Sequence, residues 1–292
     1  MKSSRKKLIG LAILLLFLVP LGISVKEVYR EVRQPELNAA LIAAVRKNDT
    51  VKVVSLLSQG ADANARDLPP DTRSMLLRLW DRIDRNPLPE AEGRTALLVT
   101  LEEDNDMEFL SENVPLVKAL LDAGAAVNAP DEIGRTPLML AAEAAKRETV
   151  RLLLDKGALA NARGFEGNTA LHLAAEQDDL ALTKLLLAKG AQVNSRTEYG
   201  TTPMHNAAAY GQIECVRLLI ESGGDIDAHD HFGSTPLSEA AQSTFRAVVQ
   251  LLISRGAKVN IRNGDGDTPL KFARRNHDPE MVKVLVKAGE KE

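Results

Sequence analysis

The chain has 292 residues, of which 45% are hydrophobic, only 3% are aromatic and 26% are charged, and its formal net charge is −3. This composition allows a large core of alanine and leucine, and the small net charge argues against a nucleic-acid partner, since phosphate binding needs clustered lysine and arginine. The single cysteine, Cys215, excludes an intrachain disulfide and lies among apolar residues at helical spacing, so we expect it to be buried.

The chain begins with a basic segment, residues 1–7, followed by the uncharged residues 8–25, of which 13 are Leu, Ile, Val or Phe. Inserting those 13 side chains into a bilayer is favourable by about 5 kcal/mol before Pro20 and the small residues are counted against it. As a helix the segment reaches roughly 27 Å, enough for a thin bilayer. We therefore expect it to enter a membrane. Its expected bilayer contacts include Leu8, Leu14, Leu15, Leu16, Phe17 and Leu18.

Two interpretations of residues 8–25 stay open. The segment is either an uncleaved anchor or a secretory signal peptide cleaved after Ser24, and its length favours the anchor, because signal h-regions have about 7–15 residues. In both cases the basic residues keep the N-terminus in the cytoplasm and place the rest of the chain outside it, in the periplasm if the organism is bacterial. Residues 26–35 then form a charged juxtamembrane spacer.

Two irregular segments follow in the first 113 residues of the chain. Residues 68–92 contain a predicted helix, Asp71–Arg85, whose apolar stripe includes Trp80. This helix either covers the N-terminal end of the fold or docks a partner with Trp80 as anchor. Residues 102–113 carry six acidic side chains and form either a solvated loop or an acidic lobe for a basic partner.

One phrase recurs every 33 residues in the rest of the chain. It reads GRTPLMLAA from Gly134, GNTALHLAA from Gly167, GTTPMHNAA from Gly200, GSTPLSEAA from Gly233 and GDTPLKFAR from Gly266. A weaker copy, GRTALLVTL, starts at Gly93, and LLSQGADANARD at residues 56–67 matches only the end of a unit. Self-similarity at a fixed period indicates stacked supersecondary units rather than one globular core.

Each unit predicts two short helices. In one copy Thr202 and Pro203 suit a helix start, Gly211 suits a turn, residues 215–220 are apolar at helical spacing, and Gly223 suits a helix end. Recurring alanine pairs let the first helices approach closely, and recurring leucine pairs fill the space behind them. Only stacking buries both faces of such a helix pair.

The pattern T-P-L-H-x-A-A, then V-x-L-L, then G-A-x-x-N resembles the ankyrin repeat family. The resemblance implies an all-α repeat solenoid over residues 36–292, behind the N-terminal hydrophobic helix, with two antiparallel helices per repeat and β-hairpin fingers between repeats. It covers six to seven units, of which 36–67 is degenerate and the last, from Asp265, forms a polar cap. It also implies that His172 and His205 brace turns. It implies further that side chains at the repeat ends tie each finger to its neighbour: Asn64, Asn128, Asn161, Asn194 and Asn260, with Asp227 as the substitute.

Protein binding through the finger tips and the inner-helix surface is the function that the resemblance implies. The corresponding candidate residues are Arg163, Phe165, Glu166, Arg196, Glu198, Tyr199, Tyr210, His229, His231, Phe232 and Asp265. Because Phe165, Tyr199 and Phe232 fall at equivalent or adjacent repeat positions, we expect them to line up along one edge and anchor the partner. The alternative is that they fold back onto neighbouring fingers.

Motifs for chemistry are missing from the sequence. It contains no phosphate-binding glycine loop, nucleophile elbow or HExxH, so we expect no catalytic residue, no cofactor and no small-molecule substrate. The pair His229 and His231 is a weak signal for a metal, because no third ligand of fixed spacing accompanies it. We therefore expect no metal site.

The leading hypothesis is a membrane-tethered, extracytoplasmic protein-binding module that acts as a scaffold, an inhibitor or a protective accessory. The alternatives are a secreted binder after signal cleavage, an immunity-type inhibitor of a toxin, a metal-dependent or catalytic protein, and a purely structural envelope spacer.

Overall fold

The computed structural model describes residues 25–67, 93–101, 112–177 and 179–289. The basic segment 1–7, the predicted membrane segment as far as residue 24, the insertion 68–92 with the predicted Trp80 helix, and residues 102–111 of the acidic insertion lie outside this part. Within the described ranges, no helix combines the length and the apolar character needed to cross a membrane.

Helices are the regular elements of the described part of the chain. The first four are α1 (Val25–Arg46), α2 (Thr50–Ser58), α3 (Ala96–Val99) and α4 (Val114–Asp122). The next five are α5 (Pro137–Glu143), α6 (Arg147–Asp155), α7 (Ala170–Glu176), α8 (Leu180–Ala188) and α9 (Pro203–Ala209). The last five are α10 (Ile213–Glu221), α11 (Pro236–Gln242), α12 (Arg246–Ser254), α13 (Pro269–Arg275) and α14 (Pro279–Lys287).

The chain divides into two compact units. The first contains α1, α2, α3 and residues 115–126, with α1 packed on both α2 and α3. Helix α1 runs without interruption through the boundary predicted between the spacer 26–35 and the repeat domain. Its residues Gln34 and Asn38 contact the end of the first repeat: the Gln34 amide donates to the Gly60 carbonyl at 2.9 Å, and the Asp62 amide donates to Asn38 Oδ1 at 3.0 Å.

The second unit contains the regular repeats. Helices α5, α7, α9, α11 and α13 stack in sequence as an inner row, and α6, α8, α10, α12 and α14 stack behind them as an outer row. Fully buried alanines of the inner row, such as Ala207 and Ala208, allow this close approach, and buried leucines such as Leu219 fill the space between the rows. Cys215 is buried in the outer row, as predicted.

The prediction of β-hairpin fingers was wrong in detail. In the described residues the segments between repeats are tight turns, and the one β-type pairing is an isolated bridge between Arg66 and Thr95 in the first unit. Two or three backbone hydrogen bonds close each of these turns in the second unit, and none of its described residues forms a strand.

Candidate protein-binding surface

A finger turn precedes each of the five helix pairs of the second unit: residues 131–135, 164–168, 197–201, 230–234 and 263–267. In each one, the amide of the first residue donates to the carbonyl of the last at 2.9 to 3.0 Å. In four of the five turns, a side-chain oxygen of the first residue also accepts hydrogen bonds from two backbone amides of the turn. This arrangement is typical of Asp, Asn and Thr in turns. These first residues are Asp131, Thr197, Asp230 and Asn263.

The finger turn 164–168 departs from this geometry. Its first residue is Gly164, which has no side chain to accept the internal amides, and Glu166 takes a left-handed backbone conformation with φ of 53°. Phe165 is the exposed apolar residue of this turn, one position earlier than in its neighbours.

Backbone hydrogen bonds join neighbouring finger turns in a row. The Glu198 amide donates to the Glu166 carbonyl at 2.8 Å, and the His231 amide donates to the Tyr199 carbonyl at 2.8 Å. The next pair repeats the contact, from the Gly264 amide to the Phe232 carbonyl at 2.7 Å. The tips of these turns therefore keep a fixed order and spacing.

Four large apolar side chains stand out from successive finger turns, and we name this set the finger edge. Their exposed fractions are 50% for Ile133, 52% for Phe165, 45% for Tyr199 and 64% for Phe232. The three aromatic residues occur on successive turns and remain about half exposed, and the Tyr199 hydroxyl also contacts Glu166 on the preceding finger. The sequence reasoning missed Ile133. Its signal was its place directly before a recurring glycine, which Tyr199 and Phe232 share.

The inner row adds polar groups and one more aromatic residue beside the turns. Tyr210, at the end of α9, is 57% exposed. Glu176 accepts from the Asn206 amide at 2.6 Å, and burial together with the nearby charge of Glu143 raises its pKa. Burial likewise raises the pKa of Glu239. This inner surface therefore carries carboxylates that are partly removed from water.

Two arginines predicted to bind a partner are engaged within the array. Arg163 Nη1 donates to the Arg196 carbonyl at 2.6 Å, and Arg196 Nη1 donates to the His229 carbonyl at 2.6 Å. Each guanidinium thus links its own finger to the next one. The other predicted residues at the tips, including Glu198, His229, His231 and Asp265, are exposed.

His172 and His205 brace the turns, as the resemblance implied. His172 Nδ1 accepts from the Thr169 amide at 3.2 Å, and its Nε2 lies 3.2 Å from the Thr201 carbonyl of the next finger. His205 repeats both contacts with Thr202 and Ser234. Burial, as the largest cause, lowers the pKa of His172 to about 4 and lowers that of His205 as well. Both side chains serve the fold.

The side chains at the repeat ends link each repeat to the next one, and we call this set of contacts the ladder of repeat ends. Asn161, for example, donates to the Gly190 carbonyl at 2.9 Å and accepts from the Gln192 amide at 2.8 Å. Asn64, Asn128 and Asn194 make the same two bonds within their units. Asp227 keeps only the accepting half, from the Lys258 amide at 2.9 Å, because a carboxylate has no N–H to donate.

Glu112, at the end of the predicted acidic insertion, is not free in solvent. Its carboxylate accepts a hydrogen bond from the Thr149 amide in the first turn of α6. In the described ranges, no group of three or more His, Cys, Asp or Glu side chains is arranged to hold a metal ion.

These features define a class: a stacked helix-pair repeat protein with exposed turns beside an inner row of helices. Five overlapping matches to a family model described as "Ankyrin repeats (3 copies)" cover residues 72–163, 107–197, 159–230, 176–263 and 222–292. The chain belongs to the ankyrin repeat family. A comparison with curated proteins finds no significant match. Ankyrin repeats indicate a protein–protein interaction module, and the family is generally non-catalytic.

Proposed function

We propose that this protein captures one protein partner through the finger edge and the adjoining inner row. The observation that carries the proposal is the row of three half-exposed aromatic side chains on successive fingers, Phe165, Tyr199 and Phe232. Aromatic side chains supply much of the binding energy of protein interfaces, and the backbone bonds between the fingers fix these three before a partner arrives.

The remaining elements of the proposal concern location and role. We propose that residues 8–25 tether the chain to a membrane, with the repeats on the extracytoplasmic side, where the protein serves as a scaffold, an inhibitor or a protective accessory. The support is in the sequence: an uncharged apolar segment of 18 residues follows a basic N-terminus.

The binding proposal is tested by comparing three immobilised full-length proteins: wild type, Tyr199→Ala/Phe232→Ala, and Leu159→Ala. Leu159 is 61% exposed but lies outside the finger edge, so its variant controls for the loss of any exposed apolar side chain. We expect wild type and Leu159→Ala to retain the same protein saturably from a membrane extract, and the double variant to lose it. Equal retention by all three would rule out the finger edge as the binding site.

A melting curve accompanies each variant. Substitutions of exposed side chains change stability by about 0.5 kcal/mol or less, so the three curves should nearly coincide. A large loss of stability in the double variant would instead assign Tyr199 and Phe232 to the fold.

Membrane tethering is tested by cell fractionation with an intact-mass measurement. Full-length mass, retention after an alkaline wash and digestion by protease added to spheroplasts are the expected results. A soluble product that begins near Val25 would establish a cleaved signal instead. Protection from protease in sealed spheroplasts would contradict the extracytoplasmic orientation.

A further inference from the structure

The finger edge is a single file of apolar side chains with carboxylates beside them. Glu132 and Ile133 are neighbours on the first turn, Phe165 and Glu166 on the second, and the third carries Glu198 and Tyr199. These pairs are exposed or partly exposed, and each places a negative charge next to an apolar contact. On the fourth turn Phe232 instead follows His231, so the acidic neighbours belong to the first three turns.

The cations nearest to this row do not cover its carboxylates. Arg163 and Arg196 direct Nη1 groups at the backbone carbonyls of the following finger. Arg135 is paired through its Nε with Asp131, inside its own turn, at 2.8 Å. A partner that brings its own cations therefore complements the edge.

The spacing of the row sets the conformation of a bound segment. Packed neighbouring helices lie about 8–10 Å apart, so the apolar side chains of successive fingers recur at about that distance. A polyproline II helix has three residues per turn and a rise of 3.1 Å, so it presents every third side chain on one face about 9 Å apart. A β-strand repeats a face at roughly 7, 13 and 20 Å, so it misses the spacing of one finger and meets at best every second finger.

The width of the row argues against an α-helical partner. An α-helix also repeats a face every seven residues, about 10.5 Å, but helix recognition uses a groove that receives anchors at i, i+3, i+4 and i+7. The finger edge offers one apolar side chain per turn, with an acidic neighbour on the first three turns. Aromatic side chains are also the usual contacts of proline-rich segments.

We propose that the partner segment captured by the finger edge is a cationic polyproline II stretch, with proline or another apolar residue at every third position and lysine or arginine between. This inference rests on the proposed function, since it names the partner chemistry of the same surface. About ten residues of such a segment span the four fingers from Ile133 to Phe232.

The test uses the full-length protein in mild detergent and four labelled peptides of twelve residues or more, read by fluorescence anisotropy. The first probe is four Pro-Lys-Ser units. The second replaces Lys by Glu, the third shuffles the first so that proline loses its period, and the fourth is an α-helix with leucine every seven residues and the same number of lysines. We expect the first probe to bind at least tenfold more tightly than the others, and less tightly as salt is raised.

Matched protein variants test whether the carboxylates of the finger edge cause the preference for the lysine-containing probe. The edge variant is Glu132→Gln/Glu166→Gln/Glu198→Gln, which preserves side-chain size and the capacity of residue 166 to accept a hydrogen bond. The control replaces three exposed outer-row glutamates by glutamine: Glu148, Glu214 and Glu280. We expect the edge variant to bind the first probe about tenfold more weakly than wild type, and the control to bind it equally well.

Three outcomes overturn the inference: no binding of the Pro-Lys-Ser probe, equal binding of the shuffled probe, or preference for the helical or acidic probe. None of them touches the proposed function, which depends on whether Tyr199→Ala/Phe232→Ala loses the retained protein. Conversely, equal retention of the protein by wild type and by Tyr199→Ala/Phe232→Ala would contradict the proposed function, independently of the peptide measurements.

Discussion

The hydroxyl of Tyr199 donates a hydrogen bond to the carboxylate of Glu166 on the preceding finger, at 3.1 Å. This bond raises the pKa of the Tyr199 phenol, because ionisation would place two negative charges together. It holds the aromatic ring in place on the finger edge while about half of the side chain remains exposed.

The variant Tyr199→Phe distinguishes the contribution of the aromatic ring to partner binding from that of the hydroxyl. The phenylalanine variant keeps the apolar anchor and should retain most of the partner, whereas Tyr199→Ala should release it. The free energy of unfolding, measured with urea, should change by less than about 1 kcal/mol in both, because the hydrogen bond is exposed to solvent. Loss of binding in Tyr199→Phe equal to that in Tyr199→Ala would show that the hydroxyl is the contact.

The buried histidines make the fold sensitive to acid. Because the pKa values of His172 and His205 are lowered by burial, the unfolded chain binds their protons more readily than the folded one. Their contribution to stability is therefore complete above the unfolded pKa of 6.5 and is lost as pH falls from there towards the folded pKa, which is about 4 for His172. The expected slope between these two pH values is about 1.4 kcal/mol per pH unit for His172, and His205 contributes in the same direction.

Urea unfolding at pH 7.0, 5.5 and 4.5 checks this dependence, with His172→Met as the matched variant. Methionine occupies the same repeat position naturally at Met139, where its sulfur lies 3.5 Å from the Thr136 amide. The variant should lose part of the acid sensitivity and keep the helix start. An identical pH slope in wild type and variant would contradict the assignment.

The parts of the fold that the sequence predicts are those in which one residue type repeats at the period of the structure. Asn161 and His172 each belong to such a set, and the resemblance to ankyrin repeats implied their roles from their positions in the repeat. The structure departs from the predicted pattern where one repeat carries a different residue from the others. Gly164 replaces the turn-forming oxygen of its counterparts, and Glu166 in the same finger takes a left-handed backbone conformation. The only sign of this deviation in the sequence was a single glycine, and the effect of a glycine depends on the turn around it.

The candidate site was predictable in its location but not in its details. The periodic glycines placed Tyr199 and Phe232 on neighbouring turns, yet nothing local told a free guanidinium from one bound to a carbonyl 33 residues away, as in Arg163. Ile133 escaped notice because an exposed isoleucine is ordinary unless its repeat position is compared with those of the aromatic residues. The insertion 68–92 has no repeat partner, so no comparison of positions constrained it.

Asp227 marks the weak step in the ladder of repeat ends. At the equivalent place Asn194 donates to the Gly223 carbonyl at 3.1 Å, whereas Asp227 makes no such donation and instead lies 3.4 Å from the Lys258 ammonium. We expect Asp227→Asn to stabilise the protein by about 1 kcal/mol, because an amide–carbonyl bond outweighs an exposed ion pair. Urea unfolding measures the change. Asn161→Asp is the reciprocal control and should destabilise the protein by a similar amount, so the same sign in both variants would be inconsistent with the ladder.

The turns between inner and outer helices give opposite predictions at two equivalent positions. Thr244 has φ of 66°, a conformation that costs a β-branched residue about 1 kcal/mol or more, whereas Gly211 has φ of 77° without that cost. Thr244→Gly should therefore raise the melting temperature. Gly211→Ala should lower it, since the added methyl group would also meet the ring of Phe245. Thermal unfolding of the two variants beside wild type measures both shifts, and a fall in melting temperature for Thr244→Gly would show that the threonine makes contacts worth more than its backbone strain.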